Sequence, residues 1–183
     1  GLAPLAIADP AAVASAETLL PDGPAYVGFA PGAGGAEKRW PLERYVALAR
    51  HAEANGLTPV FFLGPQELDD LAVVRAALPN ALLPEFDRTD GRPEVKGPLL
   101  VVALAARLTA AVANDAGPGH MFAAGGAPLL SLQKDRRKAE KFRPAAKRLE
   151  LLVAEDYGAD GMAALPLDAA ATALDRLTKG HAR

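Results

Sequence analysis

Cysteine is absent from the 183 residues, which excludes disulfides, thiolate metal sites and cysteine nucleophiles. Histidine numbers only three, so a structural zinc lacks its usual ligands. Aromatic residues are 5% of the chain, while alanine is the most frequent residue. A core of such small side chains implies closely packed helices. Neither sign of charge dominates: the net charge of −2 argues against bulk attraction to nucleic acid or to an anionic membrane. No apolar run is long enough to span a bilayer, and no secretory leader pattern opens the chain. An initial methionine is also missing; the start Gly1-Leu2-Ala3-Pro4 reads as a domain cut from a longer chain.

What is present is globular. Hydrophobic residues make up 50% and charged residues 23%, which suits one domain with a core of its own. Asp9 before Pro10 reads as a helix cap with proline at the first helical position, opening a short helix over 10–20. From residue 24 apolar strands alternate with helices. Strands are expected at 26–30, 58–63, 110–114, 128–132 and 149–153, with a short one at 81–83. Helices are expected at 41–54, 66–78, 98–108, 118–125 and 169–177, and 84–97 reads as a loop. About six short apolar strands alternating with helices predict an α/β fold, a doubly wound parallel sheet of Rossmann-like type. Ligands bind such sheets beyond the carboxyl ends of the strands.

Three loops at that edge carry distinctive residues. Pro31-Gly32-Ala33-Gly34-Gly35, followed by Lys38-Arg39-Trp40-Pro41, offers exposed backbone N–H groups, a cation and a following helix start. That suits a phosphate, and it equally suits a structural turn. It is neither a Walker loop nor the dinucleotide fingerprint, which argues against a nicotinamide-dependent domain. Trp40 reads as a packing anchor rather than a stacking platform. Asn114-Asp115-Ala116-Gly117-Pro118-Gly119-His120-Met121 ends a strand on a carboxylate and opens a helix. Asp115 suits either a sugar hydroxyl or a helix cap, and His120 by itself reads as support for the turn. In Gly64-Pro65-Gln66-Glu67 the acid suits a ribose hydroxyl pair or the first turn of its own helix. The basic run 134–148 sets eight Lys and Arg residues against Asp135 and Glu140, a net +6, leaving the rest of the chain acidic. It reads as a solvated face or as a contact for an anionic substrate. Aromatics do not alternate with its cations as in single-strand nucleic-acid binders.

Taken together, these residues resemble glycosyltransferase family 9, the ADP-heptose:lipopolysaccharide heptosyltransferase-like enzymes, over nearly the whole chain. The motifs that carry the resemblance are Pro31-Gly32-Ala33 with Lys38-Arg39-Trp40-Pro41, Leu63-Gly64 with the acid-containing loop, and Asn114 to Met121. The resemblance implies the C-terminal, donor-binding half of a two-domain GT-B enzyme, with 1–23 as interdomain linker and short helix and 24–183 as the donor domain. By motif, Lys38, Ala33, Gly34, Gly35 and Gly117 would hold the donor phosphates. Asp115, Ala116, His120 and Glu67 would lie beside the sugar or nucleotide. No residue of this chain would act as the base, which belongs to the N-terminal domain together with the acceptor site. The implied donor is a nucleotide-diphosphate sugar, ADP-heptose by first choice, and the acceptor a glycolipid or oligosaccharide. No cofactor, metal or nucleic acid is implied. The implied location is cytoplasmic, with at most peripheral membrane contact at the inner face of the bacterial inner membrane.

This chain departs from the family pattern at Ala116, where Ser or Thr is usual, and at Ala33 and Gly34, where hydroxyl residues are common. Leu132-Gln133-Lys134-Asp135 stands where the family has Phe-Gly-Pro-Thr. The alternative that these departures support is a non-catalytic nucleotide- or glycan-binding module of the same fold.

Overall fold

The computed structural model of the protein describes residues 9–141 and 143–179; residues 1–8 of the expected linker lie outside the described residues. Strands β1 (Tyr26–Ala30), β2 (Thr58–Phe61), β3 (Leu108–Asn114), β4 (Leu129–Gln133) and β5 (Leu149–Val153) form one sheet in the order β2-β1-β3-β4-β5. Every pairing in it is parallel. All five residues of β1 and all five of β4 are buried, as expected of strands covered on both faces.

The helices are α1 (Pro10–Leu19), α2 (Leu42–Ala54), α3 (Leu68–Ala77), α4 (Gly97–Ala105), α5 (Gly117–Ala124), α6 (Arg136–Lys141) and α7 (Leu167–Thr178). One face of the sheet packs against α2, α3 and α7 through Leu48, Val74 and Leu174. The other packs against α1, α4 and α5 through Ala16, Leu104 and Phe122. Asp9 caps α1 by accepting from the N–H groups of Ala11 and Ala12 at 2.8 and 3.1 Å. Gly56, at φ 76°, provides the left-handed residue just past α2. Small residues permit the close layering: a Cβ on Gly125 would stand 2.4 Å from the Val102 carbonyl oxygen of α4.

One expected element needs correction, and one element was not expected. The short strand at 81–83 is a single parallel bridge between Val60 and Leu82. Its backbone bonds are Phe61 N to Leu82 O and Leu82 N to Pro59 O, at 2.8 and 2.9 Å, so the sheet has five strands rather than six. Within the basic run, residues 136–141 form α6, whose apolar content is too low for periodicity to reveal. It buries only Ala139.

The loop 84–97 is ordered by one side chain. Arg88 donates to both carboxylate oxygens of Asp90, at 2.8 and 2.5 Å, and to the carbonyls of Val95 and Arg92, each at 2.7 Å. The Arg88 guanidinium holds the Asp90 carboxyl well below the usual carboxylate range. The bond therefore adds stability above an unfolded-state pKa of about 3.9, and that stability is lost as pH falls through the lower folded value. Asp90→Asn is expected to cost about 2 kcal/mol at pH 7. Urea melts at decreasing pH should show the gap between variant and wild type closing below about pH 4.

Candidate functional site

Because all strands run one way, their carboxyl ends lie along one edge of the sheet. The chain leaves β1, β2 and β3 there in three loops, which meet in a cleft of about 350 Å³. Gly32, Ala33 and Gly34 line one side, Gly64 to Glu67 a second, and Ala116, Gly117 and Pro118 a third. Phe62 closes the floor, held by an edge-on contact with Phe122 at 5.0 Å. Eight of the eleven lining residues are glycine, alanine or proline, so little side-chain bulk stands between the cleft and the backbone.

The first loop is fixed at its base by Asn114, the last residue of β3, which is 1% exposed. Its Nδ2 donates to Pro31 O at 2.8 Å and, more weakly, to Gly32 O at 3.4 Å. Its Oδ1 accepts from Trp40 N at 3.1 Å. The sequence gives one signal of this role, a polar residue ending an otherwise apolar strand. Trp40 is the packing anchor expected of it: buried, edge-on to Tyr45 at 5.2 Å, and donating its indole N–H to Leu165 O at 3.0 Å. Arg39 pairs with Asp70 at the start of α3, tying the end of the first loop to that helix.

Glu67 sits between the first two loops. It is 8% exposed, and its Oε2 accepts from Gly64 N at 3.0 Å. A Cβ on Gly32 would stand 2.8 Å from the Glu67 carboxyl carbon, so a side chain there would displace the carboxylate that lies against the loop.

The fold coincides with that of known proteins. Residues 5–161 match the sequence profile described as Glycosyltransferase family 9 (heptosyltransferase). The chain belongs to glycosyltransferase family 9. It is 34% identical over 107 residues to Lipooligosaccharide heptosyltransferase 2 of Haemophilus influenzae, covering 58% of this chain and 30% of that protein. The glycosyl transferase family 9 structure from Veillonella parvula superposes with a TM-score of 0.75 at 20% identity, over 93% of this chain and 52% of that one. The E. coli ADP-heptose lps heptosyltransferase II superposes at 0.71 with 19% identity, over 93% and 52%. E. coli heptosyltransferase WaaC, solved with ADP, superposes at 0.67 with 16% identity, over 88% and 48%. The chain thus spans about half the length of these solved structures and less of the curated relative.

Of the residues singled out by the family 9 motifs, Ala33, Gly34, Glu67, Ala116 and Gly117 line the cleft. Gly35, Lys38, Asp115 and His120 are not among its lining residues. Lys38 ends a short 3-10 turn over 36–38 that continues the first loop; it is half-buried and has no ion pair among the described residues. The Glu37 carboxylate folds over Gly35, coming within 2.5 Å of where a Cβ would stand. The cap residue of α5 is Ala116, and no side chain caps that helix. Asp115 is therefore not used as the cap; Pro118 has no N–H and the Gly119 N–H donates to Ala116 O at 3.1 Å, which leaves the Gly117 N–H without a partner among the described residues. Asp115 is half-buried and His120 exposed.

The basic run divides. Arg136 pairs with Asp156, and Lys138 with Asp135. Arg148 donates to Arg176 O at 2.9 Å. Lys134 lines a smaller hollow of about 280 Å³ with Glu37, Arg39 and Asp160. Among the described residues no cluster of three or more His, Asp or Glu side chains is arranged to hold a metal. No helix there is long and apolar enough to cross a membrane.

Two glycines of the first loop separate packing from openness. Gly32→Ala should push the Glu67 carboxylate off Gly64, at a cost of about 1 kcal/mol. A melt should then show a Tm lower by roughly 3 °C. A Cβ on Gly34 meets nothing within 4 Å, so Gly34→Ala should leave the Tm unchanged.

Proposed function

We propose that the chain is the nucleotide-sugar donor-binding domain of an inverting glycosyltransferase, the C-terminal half of a GT-B enzyme, with ADP-heptose as the donor. The observation that carries this reading is the single cleft formed by three carboxyl-end loops, lined mostly by glycine, alanine and proline and opened at one side by an uncapped helix start. Membership of family 9 and the relatives solved with ADP and with ADP-2-deoxy-2-fluoro heptose support it.

In this reading the diphosphate lies against the N–H groups of Ala33, Gly34 and Gly35 and the start of α5 at Gly117, where the helix dipole favours an anion. Lys38 adds a point charge from one turn away. Glu67 faces the ribose with the oxygen not bound to Gly64. Asp115, with Ala116 and His120 on either side of the helix start, approaches the sugar. Transfer leaves a nucleoside diphosphate, and donors fixed in advance around its phosphates lower the barrier to its departure. The acceptor hydroxyl attacks the anomeric carbon while a base takes its proton. That base and the glycolipid or oligosaccharide acceptor site belong to the N-terminal domain of the enzyme, so residues 1–183 alone bind donor without transferring sugar. The membrane face at which the acceptor resides is met by that whole enzyme, on the cytoplasmic side.

Ala116 supports a second reading, binding without turnover, because it puts no hydroxyl at the helix start. Joining residues 1–183 to an N-terminal family 9 domain and assaying heptose transfer separates the two.

The donor-site assignment is tested by calorimetry with ADP. The chain should bind ADP more tightly than adenosine, and Lys38→Ala should weaken ADP about tenfold. An unchanged ADP affinity in Lys38→Ala contradicts the phosphate role of Lys38.

A further inference from the structure

We infer that Asn114 is the positioning residue of the diphosphate site, setting the gap between its two phosphate-holding walls. This rests on the donor-site reading above. Asn114 is the last residue of β3, the middle strand of the sheet. Three residues later the same backbone becomes the first turn of α5, one wall of the cleft. The other wall is the loop 32–35, which belongs to β1. The Asn114 carboxamide is the polar group that ties the base of that loop, at Pro31 and Trp40, to β3.

The chemistry demands an amide. An asparagine side chain offers two donor hydrogens and one carbonyl oxygen on a single short stem. Here the donors meet the carbonyls where the loop departs, and the oxygen meets the N–H where the loop returns. Aspartate has the same shape but, when ionised, donates nothing; it would set a carboxylate against two carbonyl oxygens. Alanine would leave Pro31 O and Trp40 N without that partner in a buried place. Loop amides hold a phosphate only while their N–H groups are fixed in direction, and the short loop between 32 and 39 takes its direction from these two ends. Packing fixes the far end as well, through the Trp40 indole on Leu165 O. Losing the carboxamide should therefore loosen the loop without undoing the sheet.

The test compares ADP with adenosine on the whole chain, by calorimetry, for wild type, Asn114→Ala and Asn114→Asp. The expected result is about tenfold weaker ADP binding in both variants with adenosine affinity preserved, so that the preference for ADP shrinks. A role confined to stability would lower the Tm and leave that preference unchanged, and this result overturns the inference. A wild type with no preference for ADP over adenosine instead overturns the donor-site reading itself. Hydrogen exchange on the unsubstituted protein keeps the inference testable should the variants fail to fold. The Trp40 amide should exchange much more slowly than the amides of Ala33 and Gly34 without ligand, and the latter two should slow on adding ADP. A Trp40 amide exchanging as fast as the loop tip contradicts the inference.

Discussion

The parallel direction of all five strands is the constraint from which the rest follows. A parallel sheet cannot turn back on itself in a hairpin, so each strand must return through a crossing connection, usually a helix. Both faces are then covered, and the strands are buried along their length, as β1 and β4 are; the two polar residues of β4 bond each other, Gln133 Nε2 donating to Ser131 Oγ at 2.8 Å. The polar chemistry is left to the ends, and the ends that carry it all lie on one side. The cleft is a consequence of this geometry: loops from the three adjacent strands β2, β1 and β3 meet where the helices begin.

The content of those loops is spare. Glycine, alanine and proline dominate the lining, and the polar side chains nearby are mostly spent on holding backbone. Asn114 fixes the first loop, Glu67 caps Gly64 beneath it, and Arg39 joins the loop to α3. In the donor-site reading, an anion meeting this surface meets N–H groups held in place. Such donors cost little reorganisation on binding, which suits recognition of a charge shared by many nucleotides. In that reading backbone N–H groups take the place of the hydroxyl side chains that residues 33, 34 and 116 do not offer.

Much of the fold could be read from residue patterns, because buried parallel strands and capped helices leave strong marks. Asp9-Pro10 and Asn55-Gly56 bounded their helices as expected, and Tyr26–Ala30 formed the strand its apolar run implied. The segment 81–83 misled because a short apolar run does not say how many partners it finds; Leu82 forms a single bridge, to Val60. Helix α6 was hidden by its charge, since six residues with one buried alanine carry no periodic signal. The three cleft loops were legible by their glycines, and their convergence followed from the parallel sheet. The contacts among them were not, because Asn114 reaches Pro31 and Trp40 across long stretches of chain that no local pattern records.

The central claim is that a nucleoside diphosphate occupies the edge of the sheet where the first three loops meet. An amide shift titration of the labelled chain with ADP tests it most directly. The account predicts that the largest shifts fall on residues 32–38, 64–67 and 115–120, with Trp40 and the helices behind them little changed. Shifts concentrated instead on the basic segment 134–148, with the three loops silent, would contradict it.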